Sequence, residues 1–171
     1  MRTKIILAIL AVTSGVFFFS SCKEDRDYPL GVPELAHHYY IAFIPYNNSV
    51  VTVNKNQTAL VKFPVQFHSS FTRSYDAVAN YKVVAPATNA AVQGVDFDIV
   101  DKNGTVLSPV DGKYSITFEK AERRKDTIYV KLLNNPAPGV RNTEIQLMDN
   151  LTPEYEVDTM STAFKRPLKI Q

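Results

Sequence analysis

YSITFEKAERRKDTIYVKL, residues 114–132, holds two alternating segments on either side of a charged turn. Ile116 and Phe118 fall on one face of the first segment, and Ile128, Val130 and Leu132 fall on one face of the second. Such period-2 alternation marks a strand with one buried face. With Glu119–Asp126 as the turn, the pair reads as a hairpin, and a hairpin has no partner for its own apolar face. A second sheet is required, and the rest of the chain must supply it.

Upstream, Tyr39–Ile44 alternates and stops at Pro45, Asn47-Asn48 makes a turn, and Ser49–Val53 resumes. This predicts one edge strand broken by proline. Thr58–Phe67 sets Val61, Phe63, Val65 and Phe67 against Lys62, Pro64 and Gln66, the pattern of a sheet with one wet side. Val78–Ala85 follows with Tyr81 and Val83 inward, and Pro86–Gly112, dense in Asn, Gly and Asp, reads as a long connection.

Downstream, Asn134–Asn142 is a loop and Thr143–Met148 a strand with Ile145 and Leu147 inward. Asp149–Ser161 is another loop, and Phe164–Ile170 is the last strand, with Pro167 at a sheet-edge position. No stretch beyond residue 22 shows a capped 3.6-residue period. About seven short strands with turns between them predict an all-β, antiparallel β-sandwich over residues 39–171.

The chain has 171 residues, 45% of them hydrophobic, with one Cys and no Trp. A domain near 150 residues buries roughly 68–70% of its unfolded surface, so the core needs neither disulfide nor metal. Setting aside Arg2 and Lys4, in a segment expected to be removed, 17 of the 19 basic residues remain against 17 acidic ones. That balance, without long charge runs, excludes a nucleic-acid-binding field.

Met1–Lys4 carries two positive charges, Ile5–Phe19 is apolar apart from Thr13, Ser14 and Gly15, and Ser20-Ser21-Cys22 follows. A charged segment, an apolar run too short for a bilayer span and small residues make a secretory signal over residues 1–21. Ending on the sole Cys, it resembles a bacterial lipoprotein signal, although Phe19 and Ser21 differ from the commonest Leu and Gly or Ala. The resemblance implies lipidation of Cys22 and attachment to a membrane by that lipid. Lys23-Glu24-Asp25 resembles the surface-export tag of Bacteroidota lipoproteins, which implies an outer-membrane, surface-exposed location. Residues 22–38, charged and then Pro-containing, read as a tether with a reach of roughly 50 Å.

The order Thr88, Ala91, Gly94, Asp96, Phe97, then Ile116-x-Phe118, Ala121-Glu122, Ile128-x-Val130 and Glu144-x-x-Leu147 resembles the Calx-beta domain. The match runs from about Tyr40 to Ile170. It implies an immunoglobulin-like sandwich, and for some members calcium held by acidic residues at one end. Here Asp96, Asp98, Asp101 and Asp111 stand before the pair of strands, but Asn134, Asn135, Pro136, Pro138 and Arg141 stand where further acids belong. Calcium takes six to eight oxygens, so no metal and no cofactor is expected.

At the opposite end of such a sandwich, Ser69–Asp76, Glu119–Lys125 and Asp149–Thr159 come together. Phe71, Arg73 and Tyr75 in the first, and Tyr155 among Glu154, Glu156 and Asp158 in the last, are the candidate ligand-binding residues. Exposed rings beside charges suit contacts to sugar or peptide; the same rings could instead close the end of the core. The neighbours His37 and His38 point to opposite faces of a strand, which argues against a shared metal. His68-Ser69-Ser70 places a base near hydroxyls in sequence only, without a recognisable triad. Asp126-Thr127-Ile128 and Asp158-Thr159-Met160 resemble the Asp-Thr-aliphatic acceptor of Bacteroidota O-glycosylation.

The expectation is a surface-anchored, non-enzymatic lipoprotein that recognises a glycan or a protein. The alternative is a structural spacer or assembly module of an outer-membrane uptake complex.

Overall fold

The computed structural model describes residues 37–171. The signal at 1–21, Cys22 and nearly all of the tether lie outside the described residues. Eleven strands follow in order: β1 His38–Phe43, β2 Val51–Val53, β3 Val61–His68, β4 Ala77–Val84, β5 Phe97–Val100, β6 Tyr114–Phe118, β7 Arg124–Leu132, β8 Arg141–Met148, β9 Asn150–Leu151, β10 Glu156–Thr159 and β11 Lys165–Ile170. One sheet has six strands in the order β5-β7-β3-β1-β10-β9, the other five in the order β2-β11-β8-β4-β6. The two form an immunoglobulin-like β-sandwich. Val61, Phe63, Val65 and Phe67 of β3 and Ile128 and Val130 of β7 line the core from one sheet. Tyr81 of β4, Phe118 of β6 and Ile145 and Leu147 of β8 face them from the other.

The expected hairpin does not form. β6 pairs with β4, and β7 pairs with β3 and β5, so the two strands belong to opposite sheets. A 3-10 turn at Glu119–Ala121, with Lys120 at φ 54° and Ala121 at φ 45°, carries the chain across. Buried Ala121 anchors that crossing. Alternation reports which face of a strand is buried and leaves its lateral neighbour undetermined.

The single edge strand interrupted by Pro45 is also two strands in two sheets. β1 lies inside the six-stranded sheet between β3 and β10, while β2 ends the other sheet beside β11. The cis Ile44-Pro45 bond falls at the crossing. The expected connection over 86–112 contains β5, and the expected loop over 149–161 contains β9 and β10; with the split of the first strand, these raise the count from about seven to eleven. β5 is nearly all apolar and four residues long, so it shows no alternation. β10 carries one buried apolar residue, Val157, and gains its place by parallel pairing with β1. Pro167 sits one residue short of the segment that β2 covers, which keeps its missing N–H out of that ladder.

Arg166, a charge the strand pattern does not single out, is 3% exposed. Its guanidinium donates to the Pro45 carbonyl, to Asn47 Oδ1 and, at 3.4 Å, to the Ser49 carbonyl, and lies 5.8 Å from the Phe43 ring centre. A buried cation fixed by carbonyl oxygens holds the β1–β2 crossing. Burial lowers its pKa from the ordinary arginine value.

Candidate functional site

The loop between β3 and β4 is built from local hydrogen bonds. Ser69 Oγ donates to the Phe71 carbonyl at 2.6 Å and accepts from the Phe71 amide at 3.3 Å. The Arg73 amide donates to the Lys120 carbonyl at 2.6 Å, and the Lys120 amide donates to Asp76 Oδ1 at 2.9 Å. The loop and the 3-10 crossing are thus locked together, and Lys120 can hold its positive φ because both of its backbone groups have partners here.

Tyr155, from the turn before β10, joins them. Its ring stacks on Tyr75 at 5.5 Å between centroids and 6° between planes, and its hydroxyl accepts from the Val78 amide at 2.9 Å. The Tyr75 hydroxyl meets Tyr39 Oη at 2.6 Å and His37 Nδ1 at 2.7 Å. Burial, reinforced by the hydrogen bond to Tyr75, pushes the Tyr39 phenol above its ordinary pKa. His37 is the member that sequence reasoning missed. Its parity with Tyr39 was the available signal, since residues two apart on a strand share a face.

The four candidate residues therefore divide. Tyr75 and Tyr155 are half-buried and pack on the core, as the wall of the end. Phe71 is 39% exposed, with the Arg73 guanidinium 5.5 Å from its ring centre. A cation over an aromatic face on a braced loop puts an apolar and a charged group side by side at this end.

The acidic positions of the other end are arranged differently. Asp96 is 5% exposed; its carboxylate accepts from the Val92 amide and from Asn135 Nδ2, both at 2.7 Å. It fastens the turn at Gly94 (φ +79°) to the loop after β7. Lys55 and Arg141 line the same small cleft. Asp101 Oδ1 accepts from the Asn103 and Thr105 amides at 2.8 Å, and these bonds lower its pKa. Both carboxylates are engaged in turn-building.

His68 and the adjacent hydroxyls do not form a nucleophile–base pair: His68 Nε2 is buried with no hydrogen-bond partner among the described residues, and Ser69 Oγ is committed to Phe71. Thr159 lies in β10 rather than in a loop, and its hydroxyl donates to Asp149 Oδ1 at 2.8 Å. Thr127 lies in β7. Two clefts, of about 380 and 430 Å³, open along β6 and are lined by residues such as Leu107, Ser115 and Tyr114; none of the four candidate residues reaches them.

No family model matches the chain, and no curated protein matches it. Among solved structures, an apo-form Calx CBD1 domain superposes with a TM-score of 0.50 at 15% identity, covering 78% of this chain and 97% of that one. A Calx CBD2 domain gives 0.47 at 11% identity over 77% and 85% of the two chains. The calcium-binding domain CBD12 of CALX1.1 gives 0.46 at 15% identity over 77% and 44%. Residues 37–171 form a Calx-beta-like β-sandwich, a statement about fold alone.

Proposed function

We propose that the protein is a non-enzymatic, surface-tethered binding module that recognises a glycan or a protein through the end of the sandwich carrying Phe71 and Arg73. The observation that carries this is the braced loop itself. Hydrogen bonds among Ser69, Phe71, Arg73, Asp76 and Lys120 hold a partly exposed phenyl ring beside a guanidinium. A pre-ordered aromatic contact loses little entropy on binding. Tyr75 and Tyr155 support the loop from below. The lipoprotein-like sequence around Cys22 supports lipid anchoring at an outer membrane, where Lys23-Glu24-Asp25 favours the outward face.

The second reading, an assembly module of an uptake complex, draws on a different feature. Among the described residues β6 has a strand neighbour on one side only, β4, with Ser115 and Thr117 exposed along it. Such an edge suits strand addition by a protein partner. Screening the chain on glycan and peptide panels, with Phe71→Ala and Thr117→Pro as the two probes, separates the readings. Loss with the first variant alone supports the loop, and loss with the second alone supports the edge.

A further inference from the structure

We propose that His38, Glu156 and Asp158 form a binding site for a first-row divalent metal ion of the zinc type on the outer face of the six-stranded sheet. The sequence places Glu156 and Asp158 118 and 120 positions after His38, but the parallel pairing of β1 with β10 brings them together. His38 stands opposite Glu156 and Tyr40 opposite Asp158, while Tyr39 and Val157 between them are buried. By the two-residue period, His38, Tyr40, Glu156 and Asp158 share the outer face.

The ligand atoms already converge. His38 Nε2 is 2.7 Å from Asp158 Oδ2, and with Glu156 the three groups each offer an atom within 4.8 Å of the others. This is the one such group of three among the described residues. Two atoms bound to one zinc at about 2.0–2.2 Å lie roughly 3–3.5 Å apart, so small side-chain rotations close the set. The backbone beneath is fixed, because β1 is paired on both sides and β10 lies between β1 and β9. The Tyr40 ring stacks on His38 at 4.9 Å and 17°, which sets the plane of the imidazole. The side chains of His38 and Asp158 are 21% and 31% exposed, sheltered but reachable from solvent.

The hydrogen bond between His38 and Asp158 explains part of this arrangement and leaves Glu156 over. Two carboxylates two residues apart on one face repel each other, and among the described residues no Lys or Arg is ion-paired with either. A dication relieves that repulsion. One imidazole and two carboxylates suit zinc or its first-row neighbours, whereas calcium prefers an all-oxygen set of six to eight. Three protein ligands leave an open position for water or for an external ligand. The site lies directly beyond His37, which belongs to the tyrosine cluster, so the ion would border the proposed recognition end without sharing a residue with it.

The test is isothermal titration of the untagged full chain with zinc chloride alone, alongside His38→Ala, Glu156→Gln and the neighbour control His37→Ala, each checked by circular dichroism. The expected result is one ion per chain, at least tenfold weaker in His38→Ala and in Glu156→Gln and unchanged in His37→Ala. Cobalt(II) in place of zinc should give visible d–d absorption that His38→Ala abolishes. Absence of binding by the wild-type chain, or binding equal in all four proteins, overturns the assignment.

Discussion

Tyr155 donates its ring to Tyr75 and lends its hydroxyl oxygen to the Val78 amide, at 2.9 Å, so one side chain closes the end of the core and completes the hydrogen bonding of β4. Two substitutions separate these roles. Tyr155→Phe keeps the stack and removes the acceptor, and should cost about 1 kcal/mol in urea denaturation. Tyr155→Ala removes both, and should cost about 3 kcal/mol, the low end for an aromatic because the ring is only half-buried. Equal losses would show that the stack contributes nothing.

Phe67 of β3 and Phe118 of β6 stack at 4.3 Å and 12° from opposite sheets. Both rings are fully buried. Phe118→Ala should cost about 3–5 kcal/mol. A double-mutant cycle of Phe67→Leu with Phe118→Leu should report about 0.5–1.5 kcal/mol of coupling. Coupling near zero would mean the two sheets are not packed in this register.

The alternation of Ile116 and Phe118, and of Ile128, Val130 and Leu132, revealed two half-buried strands and the need for two sheets. It did not reveal who lies beside whom. That depends on Lys120 and Ala121 adopting positive φ, which residue type alone does not announce. β10 was invisible for a related reason: Glu156-Val157-Asp158-Thr159 is mostly polar, and its strand character comes from the β1 backbone. Phe71, Arg73, Tyr75 and Tyr155 were legible as residues sharing one end. Their division into wall and exposed contact follows from Tyr39 and Val78, the tertiary partners of Tyr75 and Tyr155, neither of them next to its partner in sequence. The His38, Glu156 and Asp158 group needed the parallel register, because local spacing puts His37 and His38 on opposite faces.

Arg166 ties the β1–β2 crossing together from β11. Arg166→Met keeps the apolar stem and removes the donors, leaving the Pro45 and Ser49 carbonyls and Asn47 without that partner. Hydrogen bonds to charged groups are worth about 1.5–3 kcal/mol, and a loss of that size is expected by urea denaturation. Arg166→Lys should recover only part of it, since an ammonium lacks the planar fork. Limited proteolysis should find new cleavage between residues 44 and 50 in the Met variant.

His68 adds a dependence on acid. Unfolded, an imidazole takes up its proton near pH 6.5. In the fold, burial first and the charge of Arg123 second lower the His68 pKa. Below about pH 6.5 the unfolded state therefore binds more protons, and stability falls as pH drops. Melting temperatures between pH 7.5 and 5 should decline in the wild type, with a shallower decline in His68→Gln. Parallel slopes would remove His68 from the acid response.

Binding is most directly measured on the glycan or peptide that the intact chain selects from a panel, comparing the wild type with Phe71→Ala. Phe71 is 39% exposed on a loop braced by Ser69 and Asp76, so its removal should leave the chain folded, as circular dichroism would show. The predicted result is at least a tenfold weaker dissociation constant for Phe71→Ala, with the variant still folded. Equal affinity in the two proteins, with Thr117→Pro abolishing binding instead, would contradict recognition at this end and move the partner to the β6 edge.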